Sequence, residues 1–363
     1  MTTVKKVFKA IAAIISIFLL YVIVTILYAT ITDFQPEAQQ ELQTIGKTDI
    51  KNKPDSTISF ITWNIGFGGL GEETTFFYDA DGTLYFNKPV TTPKVYFDKN
   101  QAGIEEFVGI NKADFYLFQE VDIDAKRSYH LNQFEAISDK LPDYNAAFAK
   151  NYDVKYVPLP VFKFWDVMGG VEAGLATYSK YATESSTRFQ FPGNYGWPTR
   201  VFQLDRCFLS SRIKLENGKE LVVINTHNSA YDKGGTLKAQ QMTFLKDYVI
   251  NEYEKGNYIV VGGDWNASPP NFKYDTFYSS NTHSHTGINV PYDLFPENWL
   301  WVYDTKTATN RSLSQSYKEG ENFTALIDFY LISPNLKLEK VRTINQSFKY
   351  SDHQPVYLEV KID

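Results

Sequence analysis

The nine residues Tyr258-Ile259-Val260-Val261-Gly262-Gly263-Asp264-Trp265-Asn266 constrain the fold more than any other stretch of the chain. The bulky apolar run Tyr258 to Val261 reads as a buried strand. The run stops on two glycines and then presents a carboxylate and an amide, so it delivers Asp264 and Asn266 to a sheet edge. Taken alone, Asp-x-Asn after glycine also suits a tight turn in which both side chains bond their own backbone. The pattern, however, repeats. Thr57 to Asn64 alternates like a strand and ends on an amide, Asp114 to Glu120 ends on a carboxylate, and Glu220 to His227 ends on an imidazole. Ala325 to Ser333 carries Asp328 in its middle, and Ser351-Asp352-His353-Gln354-Pro355 leads into a last strand, Val356 to Val360.

Helical spacing separates these strands. Ile104, Phe107 and Val108 mark a helix within Lys99 to Lys112. Leu131 to Leu141 reads as a second helix, ended by Pro142, and Leu237, Met242, Leu245, Tyr248 and Val249 mark a third over Gly235 to Glu254. Tyr144 to Tyr152, Gly174 to Tyr181 and Phe202 to Leu215 read as further strands, the last turning at Asn217-Gly218 into the strand that ends on His227. The 16% aromatic content suits pleated surfaces. Gly66, Gly68, Gly69 and Gly71 predict a flexible rim and lack the Gly-Lys-Ser/Thr ending of a phosphate-binding loop. Phe76 to Phe86 reads as a hairpin turned at Asp81-Gly82, and residues from about Ser268 to Asn322 as loop. His283 and His285 read as ordinary surface histidines, with no third metal ligand near them. Tyr156 to Trp165 is apolar but interrupted by Pro158 and Pro160, which excludes a central strand; it reads as a covering flap or as a surface for lipid or an apolar substrate.

The N-terminal end sets the address. Lys5, Lys6 and Lys9 precede roughly 23 uncharged residues, Ala10 to Thr32, enough for a helix across the ~30 Å hydrocarbon core. A cleaved signal peptide is the competing reading, but its apolar region is shorter, about 7–15 residues, and Tyr28-Ala29-Thr30 makes a poor cleavage site. Basic residues before the span and Asp33, Glu37 and Glu41 after it predict a cytoplasmic N-terminus and an extracytoplasmic body. The expected organisation is a basic segment at 1–9, a transmembrane anchor at 10–32, a polar tether at 33–56 and a catalytic domain at 57–363. The formal charge of −6 gives no global electrostatic footprint for duplex DNA, and the single cysteine, Cys207, says nothing about redox compartment.

A sheet that ends so many strands on carboxylates, amides and imidazoles bears a desolvation cost unless these groups serve a common ion and substrate. The ordered segments Thr62-Trp63-Asn64, Gln119-Glu120-Val121, Asn225-Thr226-His227, Gly263-Asp264-Trp265-Asn266, Ile327-Asp328-Phe329 and Ser351-Asp352-His353-Gln354-Pro355 resemble the endonuclease/exonuclease/phosphatase superfamily. That group includes DNase I-like nucleases, neutral sphingomyelinases and inositol-polyphosphate phosphatases. The resemblance runs from about Ile58 to Ile362. It implies a four-layered α/β/β/α sandwich, two mixed sheets flanked by helices, and Mg²⁺-dependent hydrolysis of a phosphate ester, with Mn²⁺ as a substitute ion. It implies metal binding by Glu120, Asn64 and Asp352, and a general base, His353, oriented by Asp328. Asp264 and Asn266 would orient nucleophile and phosphate, His227 would steady the transition state or protonate the leaving oxygen, and Arg206 would contact phosphate. For the substrate, the anchor, the acidic body and the aromatic Tyr156 to Trp165 segment favour a phosphodiester in a lipid head group, in the manner of a sphingomyelinase or phospholipase C. An extracytoplasmic nuclease is the alternative. A polyphosphate ring is disfavoured, since no compact cationic cluster stands out, and a catalytically silent tethered binding protein fits the full polar set poorly. No protein partner is inferred.

Overall fold

The computed structural model describes residues 2–46, 54–76, 90–161, 163, 165–230, 232, 234–273 and 289–362. The hairpin expected at Asp81-Gly82 and the histidines His283 and His285 lie outside the described residues. In chain order the elements are α1 (Thr2–Ile31), β1 (Gln39–Leu42), β2 (Ile45–Gly46), β3 (Thr57–Asn64), α2 (Lys94–Ile110), β4 (Phe115–Ala125), α3 (Gln133–Ser138), β5 (Asn145–Val157), β6 (Gly169–Ser179) and β7 (Ser185–Gln190). There follow β8 (Cys207–Lys214), β9 (Glu220–His227), α4 (Thr236–Glu254), β10 (Tyr258–Asp264), β11 (Leu300–Val302), β12 (Asn310–Arg311), β13 (Thr324–Ala325), β14 (Asp328–Ile332), β15 (Leu336–Thr343) and β16 (Val356–Ile362).

Fourteen strands build two seven-stranded sheets, in the orders β1-β7-β8-β9-β10-β14-β11 and β15-β16-β3-β4-β6-β5-β2, and β12 pairs with β13 alone. Both are mixed: β9 and β10 run parallel, as do β3 and β4, and their other pairings are antiparallel. Alternation within the buried runs makes the layers. Leu221 and Val223 of β9 and Val260 of β10 face Phe60, Leu117, Val356 and Leu358 of the other sheet, whereas Val222, Ile224, Ile259 and Val261 turn outward onto Met242, Leu245 and Val249 of α4. On the far side, Ile61, Trp63, Tyr116 and Phe118 meet Ile104, Phe107 and Val108 of α2. Helix, sheet, sheet, helix is therefore the order, as the sequence predicts. Beneath the polar strand ends the sheets are also joined by a buried amide pair, Gln119 Nε2 donating to Asn225 Oδ1 at 2.7 Å.

Several expectations change. Part of the segment expected as a tether is strand: β1 pairs with β7 and β2 with β5, each extending a sheet by one edge. The strand expected to stop on Glu120 runs on to Ala125, with a register shift between Phe118 and Val121 that bulges Glu120 out of the ladder. Asp328 opens β14 instead of sitting mid-strand, and the helix expected over Leu131 to Leu141 is only Gln133–Ser138. The glycine loop is no loose rim. Gly66, Phe67 and Gly68 are buried, and the buried Arg311 guanidinium donates to the Leu70, Gly71 and Thr74 carbonyls. The expected loop region before Asn322 contributes β11 and the core side chains Phe295 and Trp299.

Candidate active site

Strand register assembles the site. Asp264, last in β10, lies opposite His227 of β9 on one side and Asp328 of β14 on the other, so three polar ends form one row. Close strand approach makes Gly263 necessary there, since a Cβ would stand 2.0 Å from the Thr226 carbonyl oxygen. The facing sheet brings Asn64 at the end of β3, and the turn before β16 brings Asp352 and His353. Gly66 leaves room for that turn: a Cβ on it would sit 2.9 Å from Asp352 Oδ1.

His353 is the hub. Its Nδ1 lies 2.8 Å from Asp328 Oδ2, while its Nε2 lies 3.0 Å from Asn310 Nδ2, 3.5 Å from Asn64 Nδ2 and 3.8 Å from both Asp264 Oδ2 and Asp352 Oδ2. Its main chain is held as firmly, by Trp63 Nε1 on the carbonyl at 3.0 Å and by Ser351 Oγ accepting from its N–H at 3.1 Å. Burial disfavours the imidazolium, but Asp328, Asp352 and Asp264 outweigh it and hold His353 well above the ordinary imidazole range. His227 is the opposite case. Burial and the neighbouring Arg206 hold it well below that range, so it is neutral at pH 7, with Nε2 3.3 Å from Asp264 Oδ2. Burial opposes the charge of Asp264, yet the two imidazoles, the Asn266 N–H at 2.9 Å and Asn64 Nδ2 at 3.0 Å keep its carboxyl below the ordinary value.

Two site residues hold left-handed backbone, Glu120 at φ 54° and Asn266 at φ 48°, a conformation that costs energy outside glycine and clusters at functional positions. Glu120 keeps 26% of its side chain exposed to the cleft, with Oε1 3.3 Å from Asn64 Nδ2 and 4.0 Å from His227 Nε2. Asn64 offers its nitrogen to the carboxylates because its oxygen accepts from the Gly66 N–H at 3.0 Å. Arg206 is half-buried beside Glu120 and Asp264. The structure thus gathers all nine candidates, Asn64, Glu120, Arg206, His227, Asp264, Asn266, Asp328, Asp352 and His353, around one cleft.

Three neighbours escaped the sequence reading. Asn310 reaches His353 through a backbone bridge out of a stretch read as loop. Asn228 follows His227 directly, and its carbonyl accepts from Asn266 Nδ2 at 3.0 Å. Lys238 of α4 is buried, donates to the Asn266 carbonyl, and is lowered from its ordinary pKa by burial despite Asp264 and Asp232. Only Asn228, adjacent to a polar strand end, carried a signal in the sequence.

Donor atoms left unpaired in a buried site point to an anion. Arg206 Nη1 and Asn228 Nδ2 are buried and make no hydrogen bond. A buried carboxylate–imidazole pair beside a half-open carboxylate and spare donors, set between two facing sheets, defines a phosphoric ester hydrolase. Residues 61–353 match the model of the Endonuclease/Exonuclease/phosphatase family, and the chain belongs to that family. Among solved structures it is similar to an endonuclease/exonuclease/phosphatase from Beutenbergia cavernae (TM-score 0.57, 16% identity, 84% of this chain and 72% of that one). It is also similar to the human Nocturnin catalytic domain with bound sulfate (0.52, 17%, 89% and 98%) and to ANGEL2, a 2',3'-cyclic phosphatase (0.51, 15%, 89% and 98%). No curated protein sequence matches the chain.

Proposed function

We propose that the chain is a membrane-anchored, Mg²⁺-dependent phosphodiesterase acting on a lipid head group. The observation that carries the chemistry is the His353–Asp328 contact at 2.8 Å, with the far ring nitrogen turned into a cleft that also holds Glu120, Asp264 and Asp352. Asp328 fixes the ring so that Nε2 faces the attacking water, and the proton that leaves this water goes to Nε2 as the new phosphorus–oxygen bond forms. Asp264, held by Asn266 and Asn64, orients the water and the phosphate. His227, neutral in the resting site, steadies the phosphoryl oxygens, while Arg206 and Asn228 supply the unpaired donors for its charge.

Hard carboxylate oxygens suit Mg²⁺ or Mn²⁺, and Glu120 and Asp352 are the residues that would hold the ion. Asn64, its oxygen already engaged by Gly66, would act by positioning Glu120. Among the described residues, Asp264, Asp328 and His353 also bring possible ligand atoms within 4.8 Å of one another, but two of these three are spent on each other in the base pair. Such an ion would neutralise phosphate charge and, by drawing on the same carboxylates, lower the proton affinity of His353.

The lipid reading rests on α1, 29 residues of which, Thr3–Ile31, are long and apolar enough to cross a bilayer. In this reading the N-terminus is cytoplasmic and the body extracytoplasmic. Its test is hydrolysis of sphingomyelin, phosphatidylcholine, plasmid DNA and a soluble phosphodiester side by side, each with Mg²⁺ and with EDTA. Lipid and soluble-ester turnover, both abolished by EDTA, is expected. Plasmid cleavage without lipid turnover would establish the nuclease alternative instead.

A further inference from the structure

The second half of α1 is packed on the catalytic body. Thr3 to Leu20 are exposed throughout, whereas residues 21, 22, 25, 26 and 29 are covered, one stripe of the helix. The cover comes from β5 and from the turn Thr199–Phe202. Two polar contacts pin the docking: Tyr21 Oη lies 3.0 Å from Tyr156 Oη, and Trp197 Nε1 donates to Thr30 Oγ1 at 3.1 Å. Tyr156 stands at the end of β5, where the chain enters the loop of Pro158 and Pro160 that returns at Gly169, and Trp165 in that loop is 66% exposed.

Helix length fixes what this loop meets. If the hydrocarbon layer begins after Lys9, about 20 residues at ~1.5 Å each carry it to the level of Thr30. The covered stripe, and the body edge against it, then lie within the outer leaflet. If the lysines snorkel and the layer begins at Thr3, the free stretch to Leu20 is about 27 Å, and Tyr21 marks the far boundary. Since Tyr21 is bonded to Tyr156, both placements bring the loop that follows Tyr156 onto lipid.

We propose that the loop carrying Pro158, Pro160 and Trp165 is a membrane-docking surface, seated on the bilayer that holds α1 with Trp165 in the interfacial zone where amphipathic rings settle. This rests on the reading of α1 as an anchor. It also relates the cleft to its substrate. Leu159 and Met168 of the loop pack with Phe202 and Leu204 against Ala125 and Tyr152; Ala125 ends the strand that bears Glu120, and Leu204 stands two residues before Arg206. This cluster joins the loop to the strand that carries Glu120 and to the segment that leads into Arg206, which gives a head-group ester a short approach from the bilayer to the cleft.

The test is tryptophan emission of the full chain in phosphatidylcholine vesicles with and without bromine on the acyl chains, after flotation. Trp63, Trp265 and Trp299, at most 5% exposed, and Trp301, edge-on against Trp265, give an unquenched background, whereas Trp197, 60% exposed and bonded to Thr30 of α1, would be quenched in its own right, so the measurement is made in the Trp197→Phe chain. Bromine is expected to quench the Trp197→Phe chain, and the further change Trp165→Phe to remove most of that quenching while the variant still floats and still hydrolyses a soluble phosphodiester. Equal quenching of the Trp197→Phe chain with and without Trp165, with both floating, overturns the docking surface and leaves the anchor standing. A chain that does not float with the vesicles overturns the anchor, and the docking surface with it.

Discussion

Replacing Asp328 by Asn keeps the volume of the buried side chain and removes the charge that faces His353 Nδ1 at 2.8 Å. In the proposed mechanism the imidazole becomes a cation when it takes the proton from water, and in the variant that cation lacks its partner. Charge centres about 4 Å apart interact by roughly 4 kcal/mol at an effective dielectric of about 20. At about 1.4 kcal/mol per decade, this predicts a kcat loss of about 10³-fold, within the usual range for acid–base catalysis. Steady-state hydrolysis of bis-p-nitrophenyl phosphate with saturating Mg²⁺ measures it, with thermal melts to show that the fold persists. A double-mutant cycle with His353→Ala sharpens the result. If Asp328 acts only through His353, the second change should cost little once the first is made. A loss of less than about 10-fold for Asp328→Asn, or full additivity in the cycle, would refute the base assignment.

Two further predictions concern the ion and the pH response. Glu120→Gln should lower kcat by at least ~10²-fold and weaken the Mg²⁺ dependence, both read from a Mg²⁺ titration of the same assay; unchanged turnover in excess EDTA would exclude the metal. Burial, reinforced by Asp33, pushes Asp205 up to about 7, above its ordinary 3.8, so the folded state binds its proton more tightly than the unfolded chain does. Stability from this group is therefore present at low pH and is lost as pH rises from about 4 to about 7, and Asp205→Asn should melt higher than wild type at pH 8 but not at pH 4.

What the sequence discloses follows from where the physics is local. Buried runs such as Glu220 to His227 declare themselves because both faces must be apolar, and their polar last residues then stand out. The strand Ser185–Gln190 does not, since Phe189 is its only large apolar residue and its existence depends on β8 and β1 on either side of it. Asn310 is likewise invisible, because its meeting with His353 depends on chain segments 43 residues apart. The bulge at Glu120 escapes for a related reason: apolar residues continue on both sides of it, and the positive φ that turns its carboxylate into the cleft leaves no trace in residue type. The reverse happened at the glycine loop, where flexible composition concealed a segment clamped by the distant Arg311.

The row in which Asp264 stands between His227 and Asp328 ties chemistry to correct assembly. A slip of β10 by one residue would turn the carboxylate toward the helical layer and bring the glycine into its place. On the proposed mechanism, misassembled molecules would be inert as hydrolases instead of active with altered selectivity, and turnover per molecule would count the chains whose central strands have found their partners.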